Sequence, residues 1–387
     1  MKTDLVKGFR DIEDASKRIA VRNVIENIFK LYNFIPVETP IIEYEEFVKG
    51  ENSNDEAVSD IFKLEDRGKR KLALRYEATF QLKRLAKNKK LPYKRYQIGS
   101  VFRDEPIKEN RFRQFSQCDI DIIGSKVQDE AEVLKVISEI LSELGIKFVI
   151  QLNNRKLLNE ILDELKVKEK DREQVIREID KLDKLSEEEV KSNLKKFEAE
   201  KAIEIFKKPE KYFEKYGAYS EIKKLKKICS ANKVKFEFTP TLARGLSYYT
   251  GTIFEVKAKG MKETICAGGA YMMNGIQAVG TGLGLDRIEV LAKTEIVSKK
   301  VLIISIGQDK KSLGVARGIR DLGVACSIYY GKPGKALDYA NSYNIPLVIF
   351  IGEEEVKKGK LKIKNMNSGK EEMISESKLK SYLDRFE

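Results

Sequence analysis

The sequence contains no histidine. Ser-His-Asp and Cys-His catalysis is therefore excluded, and so is any metal site built on imidazole. Cysteine is scarce as well: Cys118, Cys229, Cys266 and Cys326 lie far apart, with no C-x-x-C pair. That pattern indicates neither a zinc site nor a disulfide framework, and it fits reduced thiols in the cytosol. Long apolar runs are missing too. The N-terminus, MKTDLVKGFR, has no signal-peptide core, and IPLVIF at 345–350 is only strand-length, so no membrane partner is expected. An enzyme with this inventory has to work through arginine, carboxylates, tyrosine, backbone dipoles or a bound ion. Such groups suit phosphate chemistry, in which positioning and charge stabilisation outweigh proton transfer.

What is present begins with size and charge. A chain of 387 residues is too long for one ordinary core, so two or three domains are expected. The formal charge of +13 points to a polyanionic partner. It is concentrated: residues 67–113 hold sixteen Lys and Arg against four Asp and Glu. A solvated lysine-rich face is the competing reading of that segment.

Residues 15–33 predict an amphipathic helix, with Val21, Val24, Ile25, Ile28 and Tyr32 at helical spacing. FIPVETPII follows as an extended segment broken by Pro36 and Pro40, and ATFQLKRLAKNKK reads as a basic helix. Two strands are expected at 94–103 and 111–123, joined by the polar DEPIKEN. From about 151 to 235 glycine nearly vanishes, and Lys/Glu-rich helical texture suggests an insertion. Strand texture returns at 250–256 and 263–267, and TEIVSKK (294–300) reads as a linker. Beyond it, VLIISIG, CSIYY and PLVIFIG alternate with helices as a small α/β domain.

The strand at 111–123 is the most informative segment. Its alternation puts Arg111, Arg113, Phe115, Gln117, Asp119 and Asp121 on one face, and Phe112, Cys118, Ile120 and Ile122 on the other. Guanidinium groups, an aromatic ring, an amide and carboxylates in one row suit a nucleotide. A salt-bridged solvent face is the alternative. Arg103 leads into the connection and so faces Arg111, while TLARGLSYYTGTIFEV places Arg244 and two tyrosines beside a further strand. Gly268 and Gly269 bring backbone close, and Arg287 after Gly280, Gly282 and Gly284 begins a helix; glycine turns and helix starts of this kind hold anions, with tight packing the commoner role of such glycines. Their spacing matches neither a P-loop nor G-x-G-x-x-G.

These segments resemble a known family. FRDE…RFRQFSQ resembles motif 2 of class II aminoacyl-tRNA synthetases, GLGLDRI their motif 3, and PVETPIIE, with Pro40, their motif 1. LARGLSYYTGTIFE is similar to the segment peculiar to histidyl-tRNA synthetases, and LRYEAT and GFRDI extend the likeness over almost the whole chain. The resemblance implies an α+β fold: an antiparallel sheet flanked by helices, a helical insertion and a C-terminal α/β anticodon-binding domain. The expected bounds are 1–150 and 241–295 for the catalytic domain, 151–240 for the insertion and 299–387 for the last domain. It further implies a cytoplasmic homodimer that makes histidyl adenylate from histidine and ATP, with Mg²⁺, and transfers histidine to its tRNA.

The resemblance also implies roles. Arg103 and Arg244 would act at the α-phosphate, and Arg111 and Arg287 at the outer phosphates. Phe115 would stack on adenine and Glu105 would meet its amino edge. Glu77, Thr79 and Gln117 would bind the histidine ammonium, while Asp121, Tyr249 and Tyr271 would surround the imidazole. No protein metal ligand is expected. Ser247 and Ala270 replace the family's Asp and Arg, Asp121 its usual Glu, and residues 272–278 are a shortened stretch. A non-catalytic relative, similar to the regulatory subunit of ATP phosphoribosyltransferase, or a re-specialised RNA-binding paralogue is the competing reading.

Overall fold

The computed structural model describes residues 3–50, 58, 60–107, 111–183, 185–243, 248–294 and 299–385. Two compact units divide the chain, Met1–Thr294 and Glu295–Glu387.

The first unit is built on an eight-stranded sheet and a three-stranded one. In chain order the strands are β1 (Ile35–Pro36), β2 (Ile42–Tyr44), β3 (Lys63–Glu65), β4 (Lys71–Leu74), β5 (Tyr93–Phe102) and β6 (Gln114–Ile123). They continue as β7 (Phe148–Asn154), β8 (Glu237–Phe238), β9 (Tyr249–Ala258), β10 (Cys266–Met273) and β11 (Ile276–Gly284). The large sheet has the order β1-β5-β6-β11-β10-β9-β7-β8, antiparallel except for its two outermost pairs. The small sheet has the order β2-β4-β3.

Alternation decides which side of the large sheet is packed. On β6, Cys118, Ile120 and Ile122 are fully buried in the core, whereas Phe115, Gln117, Asp119 and Asp121 point to the other face, as expected. Helix Ser16–Leu31 buries Val21, Ile25, Ile28 and Phe29, and helix Val127–Glu143 buries seven apolar side chains at helical spacing. Both belong to the core under the sheet. The carboxylate of Asp129 accepts the backbone N–H of Lys126 at 2.7 Å and caps the second helix.

Several expectations need correction. The basic stretch 78–90 is not one helix: only Leu82–Leu85 is helical, because beyond Ala86 the charged residues 87–90 supply no apolar turn to bury. The strand expected from 111 starts at Gln114, with Phe112 held 4.0 Å below the Arg10 guanidinium. Glycines 268, 269, 280 and 282 lie inside strands, where they pack closely rather than turn the chain, and Gly284 ends β11 as the N-cap of helix Leu285–Leu291. Of the expected insertion, residues 151–154 finish β7, and Glu237–Phe238 add β8 to the large sheet. The helices occupy Arg155–Ala231, and their buried Leu157, Ile161, Ile179, Leu194 and Leu225 join the same core as the sheet. The shortened stretch is a tight hairpin: Asn274 (φ 51°) and Gly275 (φ 75°) link β10 to β11 in two residues, the left-handed pair that such a turn needs.

The second unit contains β12 (Lys300–Ser305), β13 (Ala325–Tyr330), β14 (Leu347–Ile351), β15 (Lys360–Asn365) and β16 (Glu371–Ser375), in the order β13-β12-β14-β15-β16. The first three strands are parallel, and the last two pairings are antiparallel. All five residues of β14 are buried because helices cover both faces. Val315 and Ile319 of helix Asp309–Asp321 pack on one face, and Ala336 and Ala340 of helix Pro333–Ser342 on the other. The fold is α+β.

Candidate active site

The polar face of the large sheet opens into a cavity of about 190 Å³. Several pieces of chain meet there. From β6 come Phe115, Gln117, Asp119 and Asp121; from β9 and β10, Tyr249 and Tyr271; and from the segment after β4, Glu77 and Thr79. That last segment is anchored by Arg75, which is buried and donates to the carbonyls of Ser100 (2.8 Å) and Thr39 (3.1 Å). Gly280 and Gly282 of β11 stand opposite Asp121 and Asp119 in register. A side chain at either position would collide with those carboxylates, so glycine clears the floor on which they lie.

One end of the cavity is crowded with carboxylates. Glu77, Asp119 and Asp121 are all buried. Burial pushes Glu77 up to about 8, with Asp119 and Asp121 adding to the rise and Arg103 opposing it. Burial likewise lifts Asp119 to about 7, against the pull of Arg95. Asp121 is raised by burial but held back by Arg95 and by Tyr271, whose hydroxyl donates to it at 2.5 Å. The Tyr248 hydroxyl donates to Glu77 over 3.4 Å. Gln117 donates to Asp119 at 3.4 Å, while its Oε1 is buried and accepts no hydrogen bond from the described residues. This end calls for a cation with N–H donors.

The other end is an arginine cluster. Arg103 sits 5.2 Å above the Phe115 ring and donates to the Tyr76 carbonyl at 3.1 Å. Arg287, half-buried, donates to the Thr264 carbonyl at 2.6 Å. Burial lowers its proton affinity, Glu263 and Glu105 counter this, and Arg111 and Arg103 lower it further. Like-charged guanidiniums held this close are a site for a polyanion. Asp286, next to Arg287, is clamped by Arg10 (2.8 Å), Arg18 (3.1 Å) and the Ser116 N–H (2.8 Å), which fixes the start of helix Leu285–Leu291.

Nine of the twelve residues singled out from sequence thus line one cavity. Glu105 and Arg111 do not; they form an ion pair with each other beside Arg103, so neither is free in this arrangement for the base or phosphate expected of it. Arg244 and Ser247 lie outside the described residues. Missed from sequence were Arg75, Arg95 and Thr264. For Arg95 the signal was available: Arg95 and Gln97 alternate with buried aromatic and apolar residues along β5, as the site residues do along β6.

A sequence profile of the histidyl-tRNA synthetase family matches residues 8–290, and one for an anticodon binding domain matches residues 300–385. The chain belongs to the histidyl-tRNA synthetase family. It is 35% identical to histidine–tRNA ligase 2 of Shouchella clausii, over 95% of this chain and 97% of that one. The crystal structure of histidyl-tRNA synthetase from Nostoc sp. is similar with a TM-score of 0.86 at 25% identity, covering 100% of this chain and 99% of that one. A Bacillus halodurans protein described as an ATP phosphoribosyltransferase regulatory subunit/histidyl-tRNA synthetase shares the fold, with a TM-score of 0.76 at 19% identity over 88% of this chain and 96% of its own.

Proposed function

We propose that this chain is a histidine–tRNA ligase: it joins histidine to ATP as histidyl adenylate, releases pyrophosphate, and passes histidine to the 3′ end of its tRNA. The observation that carries the reading is the bipolar cavity, with buried carboxylates crowded at one end and arginines clustered at the other. An amino acid lying between them would put its ammonium against Glu77, Thr79 and Gln117 and its imidazole between Asp121, Tyr249 and Tyr271. Its carboxylate then faces the α-phosphorus of ATP near Arg103. Arg244 is assigned to the same phosphorus from the sequence resemblance alone. Attack in line needs no protein base because the nucleophile is already anionic, which a chain without histidine can manage.

Phe115 would hold adenine, and Arg287 the outer phosphates. Arg111 joins it and Glu105 turns to the adenine amino group once ATP parts the pair they form. Among the described residues no cluster of three or more carboxylates or thiols could hold a metal. Mg²⁺ would arrive on the phosphates, with Glu263 and Glu105 the carboxylates acting on Arg287. The basic segment 67–113 and the module at 300–385 would take the tRNA. A homodimer through the motif 1 segment is supported by exposed Leu31, Ile35, Ile41, Ile42 and Tyr44 around the edge strand β1. Among the described residues no helix is long and apolar enough to cross a membrane, and the reading places the protein in the cytoplasm. A non-catalytic regulatory role is the weaker reading, since it leaves the arginine cluster and the 300–385 module without work.

The test is ATP–pyrophosphate exchange with each of the twenty amino acids. Exchange with histidine alone is expected, and exchange with none or with another amino acid would refute the reading. A sharper check uses Gly280→Ala, whose methyl group would displace the Asp121 carboxylate. KM for histidine should rise by about ten- to a hundred-fold, the loss of one buried charge-assisted hydrogen bond, with KM for ATP unmoved. Equal damage to both constants would mean that the sheet itself had shifted.

A further inference from the structure

Arg95 is fully buried, lies beneath the cavity and does not line it. It stands directly opposite Asp121 in the β5–β6 register. One nitrogen of its guanidinium, Nη2, makes an ion pair with the Asp121 carboxylate and also donates to the Ala78 carbonyl at 2.9 Å. Ala78 lies between Glu77 and Thr79, so this one group ties the imidazole end of the site to the ammonium end. Its Nε and Nη1 have no acceptor among the described residues. Both contacts it does make go to site segments, the Asp121 carboxylate and the carbonyl between Glu77 and Thr79.

We infer that Arg95 is a positioning residue for substrate choice: it keeps Asp121 an anionic acceptor and so sets the pH range over which the site takes up histidine. The inference rests on the ligase reading and deepens it. Around the Asp121 carboxylate stand Arg95 from β5, the Tyr271 hydroxyl from β10, side-chain-free Gly280 from β11 and Asp119 on its own strand, with Glu77 across the cavity. Arg95 is the one cation in contact with it among the described residues. Asp119 and Glu77 both repel further negative charge there, and Arg75 and Arg103 act on those two carboxylates. Without Arg95, burial protonates Asp121, which then offers an O–H where the imidazole N–H needs an acceptor.

The experiment follows KM for histidine in pyrophosphate exchange from pH 6 to 10. It compares wild type, Arg95→Lys, Arg95→Met and Arg95→Gln; the last keeps a donor for Ala78 without the charge. In the Met and Gln variants the pH at which KM levels off should move up by about 1–3 units, the range over which an adjacent opposite charge shifts a carboxyl group. Plateau kcat should stay close to wild type, and Lys should largely restore the profile. Adding Arg95→Gln to Asp121→Asn should shift nothing further, because the titrating carboxyl is gone. A KM raised equally at every pH, or a double variant worse than Asp121→Asn alone, overturns the inference. The titration of the Asp121 carboxyl carbon by ¹³C NMR in ligand-free wild type and Arg95→Gln gives the same answer without substrate: an unmoved midpoint refutes the role of Arg95. Absence of histidine-dependent exchange in wild type counts instead against the ligase reading.

Discussion

Arg103→Ala should lower kcat for histidine-dependent pyrophosphate exchange by about 10²–10³-fold, the usual cost of removing one preorganised donor from a developing oxyanion. Arg103 reaches the cavity from the end of β5, where its Nε is held by the Tyr76 carbonyl and its guanidinium lies over Phe115. A side chain fixed in this way loses little freedom when the phosphorus becomes pentacoordinate, so its contribution is larger in the transition state than in bound ATP. Lysine should rescue only partly, because a point charge cannot keep both the carbonyl contact and a bidentate hold on phosphate. The melting temperature should stay near that of wild type. Single-turnover adenylate formation measured beside a melting curve decides the matter, and a stable variant with normal activation removes Arg103 from the chemistry.

Glu77→Gln should act in two directions. Activation of histidine should fall by roughly 10²-fold, since the ammonium loses its buried carboxylate, while KM for ATP changes little. Stability should rise as well, increasingly as pH climbs from about 4.5 to 8. The folded protein holds the Glu77 carboxyl proton up to about pH 8, far above the value of a free glutamate. The folded state thus binds more protons than the unfolded chain between those two values. Its stability falls as pH rises through that interval, and the loss is complete above pH 8 and absent below pH 4. Glutamine removes a penalty of up to about 5 kcal/mol at pH 9 and none at pH 4. Urea melts at pH 5, 7 and 9 should show the gap between variant and wild type widening with pH. A gap that is constant or narrows would place the Glu77 charge in a compensated setting.

Much of this site was legible because a strand has a period of two. Once Cys118, Ile120 and Ile122 are assigned to the core, Phe115, Gln117, Asp119 and Asp121 must share the other face. The same rule on β5 would have found Arg95, but a single arginine in a segment dense with lysine does not stand out. Loop geometry has no such rule: that Glu105 would turn onto Arg111 cannot be deduced from spacing. Nor can glycine declare its purpose. Packing was the commoner reading of Gly280 and Gly282, but only the strand register shows that they make room for carboxylates on the neighbouring strand. The basic stretch 78–90 misled for a related reason, since helix-forming residues without an apolar stripe have nothing to fold against.

The helices of Arg155–Ala231 enter between β7 and β8, two strands paired with each other at the edge of the large sheet, and their apolar side chains share its core. Modularity is thereby given up. Cutting the segment out would bare the flank of β7 and the Phe238 ring of β8, which packs on Phe213 and Tyr219 of that segment, so a shortened enzyme should aggregate where a looped-out domain would be spared. Amide protons in those helices should exchange in step with the ones on β9 and β10, through global opening of one cooperative unit. A lineage with this arrangement can vary the outward surface of the segment freely, but it can no longer trade the segment for another.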